Sequence, residues 1–177
     1  YKKLFHLVLL FLICGSLRAQ AAVILQYHHV SETLPAVTSV SANTFTKHLN
    51  YLKEHNFNVI PLNELISALQ QGKALENKTI AITFDDGYNN NYDQAAPILE
   101  KFGYPYTIFV NPKLIDEQAG YIMGWDKLRE LAKKGALIAN HSAEHNYLHK
   151  KRKNETPSQW RERTKKDIIS SQQRIKE

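Results

Sequence analysis

Two short segments of this 177-residue chain carry the residue types of metal-assisted hydrolysis. Thr83-Phe84-Asp85-Asp86-Gly87 places a carboxylate pair at the end of an apolar run. His141-Ser142-Ala143-Glu144-His145 places two imidazoles at i, i+4 spacing. One carboxylate and two imidazoles make a ligand set for a divalent metal, and a second carboxylate is then free to handle a proton. A cation held by three protein ligands keeps a position for water and lowers its pKa toward about 7. Each segment alone has an ordinary reading: Asp-Asp-Gly also makes turns, and His-x-x-x-His also makes surface pairs. Their occurrence together, each at the end of an apolar run, singles them out.

Geometry sets conditions on both segments. Successive residues of a regular strand point to opposite faces, so Asp85 and Asp86 share a site only if the chain turns there, and Gly87 permits a sharp turn. His141 and His145 are compatible with one helical turn, where i and i+4 share a face. His149 extends that series and is expected to face solvent. His28 and His29 are expected to divide into one residue lining the site and one structural residue. Tyr88 and Asn89-Asn90-Asn91 either line a cleft or form the loop after the turn. Trp125 and Trp160 are expected in the core.

The elements that must hold these residues alternate strand and helix. Strand-like runs are Val23 to Tyr27, Phe57 to Ile60, Lys78 to Phe84, Tyr104 to Val110 and Ala136 to Asn140. Helical spacing appears at Phe45, Leu49 and Leu52. It recurs from Pro61 to Gln71 with Leu62, Leu65 and Leu69 on one face, and from Tyr92 to Phe102, where Pro97 bends or starts the helix. Trp125 to Lys134 is helical with Gly135 as a stop, and Thr156-Pro157 caps a last helix carrying Trp160, Ile168 and Ile175. Strands alternating with helices imply a parallel sheet, as a barrel or a doubly wound layer. His28-His29, Asp85-Asp86, Asn111 and His141 each follow a strand, which is the face where a β/α barrel builds its active site.

With 43% hydrophobic and 23% charged residues, the chain is an ordinary globular domain, which excludes disorder and coiled coil. The net charge of +6 is concentrated at the C-terminal end. Residues 150–177 hold ten basic and four acidic side chains, whereas residues 22–149 hold ten basic and 13 acidic ones. The basic stretch reads either as a solvated helix face and loop or as a contact for an anionic polymer or membrane surface. No aromatics interleave with it as nucleic-acid stacking would need, so nucleic acid is excluded as a partner. Nothing in the sequence points to an oligomer.

Residues 1–21 read as a secretory signal peptide: Lys2 and Lys3 precede an apolar stretch from Leu4 to Ile13, and Ala19-Gln20-Ala21 offers small cleavage residues. Export to the periplasm or the extracellular space follows. A lipoprotein through Cys14 fits less well, since bulky Ile13 precedes the cysteine. Cys14 is the only cysteine, so residues 22–177 have neither a disulfide nor a thiol nucleophile.

Taken together, Thr83-Phe84-Asp85-Asp86-Gly87 and His141-Ser142-x-x-His145 resemble the polysaccharide deacetylase family, the carbohydrate esterases of the chitooligosaccharide-deacetylase homology domain. Tyr27-His28-His29-Val30, Val40-Ser41-x-x-x-Phe45 and Leu49-x-Tyr51-Leu52 are similar to a branch with exported poly-β-1,6-N-acetylglucosamine deacetylases. The resemblance runs from about Val23 to the end. It implies a distorted β/α barrel of about seven strands, of which this chain holds the N-terminal five or so, with residues 22–177 as one domain cut short at its C-terminus. It also implies that Asp85 is the general base and that Asp86, His141 and His145 hold one divalent metal. Zinc is usual, with cobalt, nickel or iron as variants. His28, Tyr88 and Asn111 are the expected substrate contacts. The implied reaction releases acetate from N-acetylglucosamine units of an extracellular or cell-envelope polysaccharide.

In one respect the chain departs from the family. Relatives carry downstream an Arg- or aromatic-led Pro-Tyr segment, an Asp-Trp segment and a Leu-x-His segment, and nothing after His145 matches them, so the general acid is unassigned. Two other readings stay open: a non-catalytic metal- or glycan-binding relative, and a metal hydrolase of another N-acyl or cyclic amide. An iron oxygenase triad shares the ligand types but belongs to all-β frameworks. A two-carboxylate glycosidase needs carboxylates about 5 Å or more apart across a bond, for which adjacent Asp residues are badly placed.

Overall fold

The computed structural model describes residues 22–177. The expected signal peptide lies outside the described residues. Among the described residues no helix is long and apolar enough to cross a membrane.

Five parallel strands form the main sheet: β1 (Val23–Tyr27), β4 (Asn58–Val59), β5 (Thr79–Phe84), β6 (Thr107–Val110) and β7 (Leu137–Asn140). They are the five runs expected from sequence. A separate parallel pair joins β2 (His29–Val30) to β3 (Ser39–Val40). The order is β1-β5-β6-β7, with β4 pairing the start of β5 (Asn58 opposite Thr79) and β6 its end (Thr83 opposite Thr107). The sheet is therefore an arc of a barrel whose end strands, β1 and β7, do not pair with each other. All six residues of β5 are buried, as a central strand covered on both faces requires.

Amphipathic helices cover the sheet. In α1 (Ala42–Glu54), Phe45, Leu49 and Leu52 are buried, and the Ser41 hydroxyl caps the helix by accepting from Thr44 N at 3.0 Å. α2 (Leu62–Gln70) buries Leu62 and Leu65, but Leu69 is 53% exposed, which corrects its expected place on the core face. The expected helix from Tyr92 to Phe102 divides into a wide turn at Asn91–Ala95 followed by α3 (Ala96–Phe102). Pro97 has no N–H to donate. The Ala96 N–H bonds to the carbonyl of Asn91, five residues back, so the chain enters α3 through a π-type turn.

α4 (Pro112–Asp116) and α5 (Trp125–Lys133) follow, the latter burying Leu128 and Leu131. α6 (Pro157–Lys176) opens with a capping box between Thr156 and Gln159 and packs along β7. The Asn140 amide ties the two by donating to the carbonyl of Ile168 at 2.9 Å. Trp160 and Trp125 are half-buried, with their indoles hydrogen-bonded to Leu148 O and Asp116 Oδ1 at 2.7 Å each.

One position shows how tightly the strand ends are packed. Gly87 adopts φ +71°, and a Cβ built there would stand 3.0 Å from Val110 Cγ1. Gly87→Ala combines the left-handed penalty with an overlap in the core. It is expected to lower stability by about 2 to 4 kcal/mol, read as an earlier denaturation midpoint at unchanged m-value.

Candidate metal centre

The site lies where β5 and β7 end. Asp85 still follows the sheet, its N–H donating to Tyr27 O at 2.9 Å. The chain then reverses through two left-handed residues, Asp86 at φ 70° and Gly87 at φ 71°. Sequence reasoning put the turn at Gly87, whereas it begins at Asp86, a residue type that tolerates this conformation better than most. Both carboxylates stay buried, with Asp85 5% and Asp86 6% exposed.

His141 extends β7 by one residue, its N–H donating to Val110 O at 3.0 Å. The expectation of a helical turn from 141 to 145 is corrected. Ser142 and His145 have φ of 68° and 55°, and side chains in place of helix bonds hold the segment. Asn140 Oδ1 accepts from Ser142 N at 2.8 Å, Ser142 Oγ accepts from His145 N at 3.1 Å, and Asp167 Oδ2 of α6 accepts from Ala143 N at 3.2 Å. Beneath the loop, the Asn111 amide donates to the carbonyls of His141 at 2.5 Å and Ser142 at 3.1 Å. The folding of this loop thus depends on polar side chains from the β6–α4 junction, β7 and α6, which no helical spacing reveals.

The result is a three-donor cluster. His141 Nε2 and His145 Nε2 stand 3.3 and 3.1 Å from the same atom, Asp86 Oδ1, and all three donor atoms lie within 4.8 Å of one another. Asp86 Oδ1 is buried, yet no contact to it has hydrogen-bond geometry. A buried carboxylate oxygen without a bonded partner is costly, and two imidazole nitrogens aimed at the same small space suggest a shared cation in place of a proton. Tetrahedral zinc with ligand bonds of about 2.0–2.1 Å has ligand–ligand edges of about 3.3–3.4 Å, close to the two distances found here. Asp86, His141 and His145 therefore fit a divalent cation.

The electrostatics agree. Burial pushes the Asp86 carboxyl up, but contacts with His141 and Tyr88 and the nearby imidazoles outweigh it and hold the group below the usual carboxylate range. The Asp86 contact raises the His141 pKa against the opposing effect of burial. Burial, then the Asp86 carboxylate, push the Tyr88 phenol up.

Asp85 lies beside the cluster without joining it. Its Oδ2 accepts a hydrogen bond from Gln26 Nε2 of β1 and is 3.9 Å from His28 Nε2. His28 is thus the histidine facing the site. His29 is the structural one, stacked on Tyr88 at 3.7 Å and bonded through Nδ1 to Asn90 at 3.0 Å. Asn89 and Asn91 tie the loop to Gly120 O and His28 O. His149 is exposed, with its ring edge-on to Tyr147, and is not one of the three clustered donors. The expectation that Asn111 contacts substrate is corrected: it is 0% exposed and its amide supports the His141 loop. Gln26 was missed in the sequence, although strand alternation puts residues 26 and 28 on one face and offered the signal.

Comparison with known proteins adds a family frame. The family model described as polysaccharide deacetylase matches residues 72–177. Bacillus subtilis YxkH, a polysaccharide deacetylase by name, is 32% identical over 122 residues, which are 69% of this chain and 42% of YxkH. The poly-β-1,6-N-acetyl-D-glucosamine N-deacetylase of Escherichia coli K12 is 25% identical over 125 residues, 62% of this chain and 18% of that protein. The match thus spans less than half the length of either relative. Among solved structures, a de-N-acetylase from Aggregatibacter actinomycetemcomitans superposes with a TM-score of 0.75 at 23% identity, covering 87% of this chain and 73% of the other. That likeness supports the barrel fold.

Proposed function

The chain belongs to the polysaccharide deacetylase family, and on that premise we propose that it forms the metal-binding part of an exported hydrolase that removes acetyl groups from a polysaccharide containing N-acetylglucosamine. The observation that carries this reading is the convergence of Asp86 Oδ1, His141 Nε2 and His145 Nε2 on one point, with the Asp85 carboxylate alongside.

In this proposal Asp86, His141 and His145 hold one divalent ion, zinc first, with cobalt, nickel or iron as variants. When bound, the ion supplies Lewis acidity, lowering the pKa of water toward about 7 and polarising the acetyl carbonyl. Asp85 takes the proton of the attacking water at a carboxylate oxygen. Loss of the C–N bond gives acetate and a free amine on the sugar. Asp85 is only 5% exposed, so little bulk water reaches its carboxylate. In this reading His28, beside Asp85, and Tyr88, beside Asp86, contact the bound sugar. The group that protonates the leaving amine is unassigned.

The name of the Escherichia coli relative favours β-1,6-linked poly-N-acetylglucosamine as substrate. An extracellular or periplasmic place of action suits such a polymer. The basic face of α6 and the Lys150-Lys151-Arg152-Lys153 stretch would meet an anionic envelope surface. Chelation should silence acetate release from N-acetylglucosamine oligomers, and added zinc or cobalt should restore it. Release that persists at full rate in excess chelator would remove the metal from the reaction.

A further inference from the structure

We propose that Gln26 is the positioning residue for Asp85, an inference that rests on the hydrolase reading above. Gln26 Nε2 donates to Asp85 Oδ2 across the β1–β5 seam. Register explains the contact: Gln26 lies opposite Thr83, and Thr83 and Asp85 share a face of β5, so the long amide side chain reaches forward to the strand end. The backbone closes the same seam, with Asp85 N donating to Tyr27 O at 2.9 Å. Asp85 is thus fixed at its main chain by residue 27 and at its carboxylate by residue 26.

The composition of β1 strengthens the point. Val23–Tyr27 reads Val-Ile-Leu-Gln-Tyr, and Gln26 is its single amide. Val23 and Ile24 of the same strand are 49% exposed, so solvent exposure alone does not call for a polar residue here. A neutral amide orients a carboxylate without adding charge and cannot take the proton itself. The neighbouring candidate, His28, is 3.9 Å from the same oxygen, beyond hydrogen-bond reach. Gln26 therefore decides which way the carboxylate points, and its loss leaves Asp85 free to turn toward His28 and away from the water it must deprotonate.

The test compares the wild type with Gln26→Leu, which keeps the bulk and removes the donor, with Asp85→Asn as control. Gln26→Leu should lower kcat about 10- to 10²-fold, as misplacing a reacting group by about 1 Å does, while KM and zinc affinity stay within about twofold. Independently of turnover, one side-chain amide proton of Gln26 should resonate well downfield in the wild type and return to an ordinary position in Asp85→Ala. An ordinary amide shift in the wild type would overturn the inference, and so would an unchanged kcat in Gln26→Leu. If Asp85→Asn retains full activity, the base assignment itself falls and the positioning role falls with it. A wild type that releases no acetate despite the shifted amide would reject the hydrolase reading and reduce the contact to sheet architecture, again overturning the proposal.

Discussion

His141→Ala is expected to abolish tight zinc binding. The wild type should take up one ion per chain, and the variant should bind at least about 10²-fold more weakly, since loss of a mere supporting partner of a metal ligand already costs about 10- to 100-fold. The physical reason is the small ligand set. Three donor atoms within 4.8 Å would hold the ion, and removing one would leave two exchangeable contacts. Thermal unfolding gives a second reading. Zinc at about 100 times its Kd stabilises the folded state by about 2.7 kcal/mol, which for a domain of this size raises Tm by about 5 to 10 °C, and the variant should show no such rise.

Asp86 needs a more careful substitution, because its φ of 70° penalises alanine for reasons unrelated to the metal. Asp86→Asn keeps a side chain that tolerates the left-handed turn and removes the charge. It should fold normally and lose the zinc-dependent rise. Unchanged affinity in either variant would remove that residue from the ligand set.

Asp85→Asn is expected to keep the ion and lose turnover. Asp85 is isosteric with asparagine and holds no place among the three donors, so zinc affinity should change little. The variant cannot accept a proton, and loss of a general base costs about 10²- to 10⁴-fold in rate. That separation of binding from turnover distinguishes a catalytic centre from a metal- or glycan-binding relative. Retained activity would mean that the base lies elsewhere, with His28, 3.9 Å from Asp85, the first place to look.

The chemistry of the site was more legible in the sequence than its local geometry. Asp85, Asp86, His141 and His145 stand out because strand ends are marked by apolar runs, and the five strands of the sheet follow the five expected runs. Helix faces followed from spacing at Phe45, Leu49 and Leu52 but failed at Leu69, which is 53% exposed while its neighbour Ala68 packs against the Leu62 and Leu65 cluster.

The His141–His145 loop could not be read from periodicity. Its shape comes from Asn111, Asn140, Ser142 and Asp167, which belong to different elements and meet only in the folded chain. For the same reason Asn111 looked like a cleft residue: a polar side chain after a strand suggests exposure, whereas here it is consumed by two backbone carbonyls. The left-handed turn at Asp86 and Gly87 and the wide turn before α3 are backbone features without a periodic signature.

The most direct test of the central claim is acetate release from β-1,6-linked N-acetylglucosamine oligomers by the zinc-loaded chain, with Asp85→Asn measured alongside at equal metal content. Metal-dependent release by the wild type, lost in Asp85→Asn, is the predicted result. No release from a wild type that demonstrably holds one zinc ion would contradict it and leave metal or glycan binding as the function of this domain.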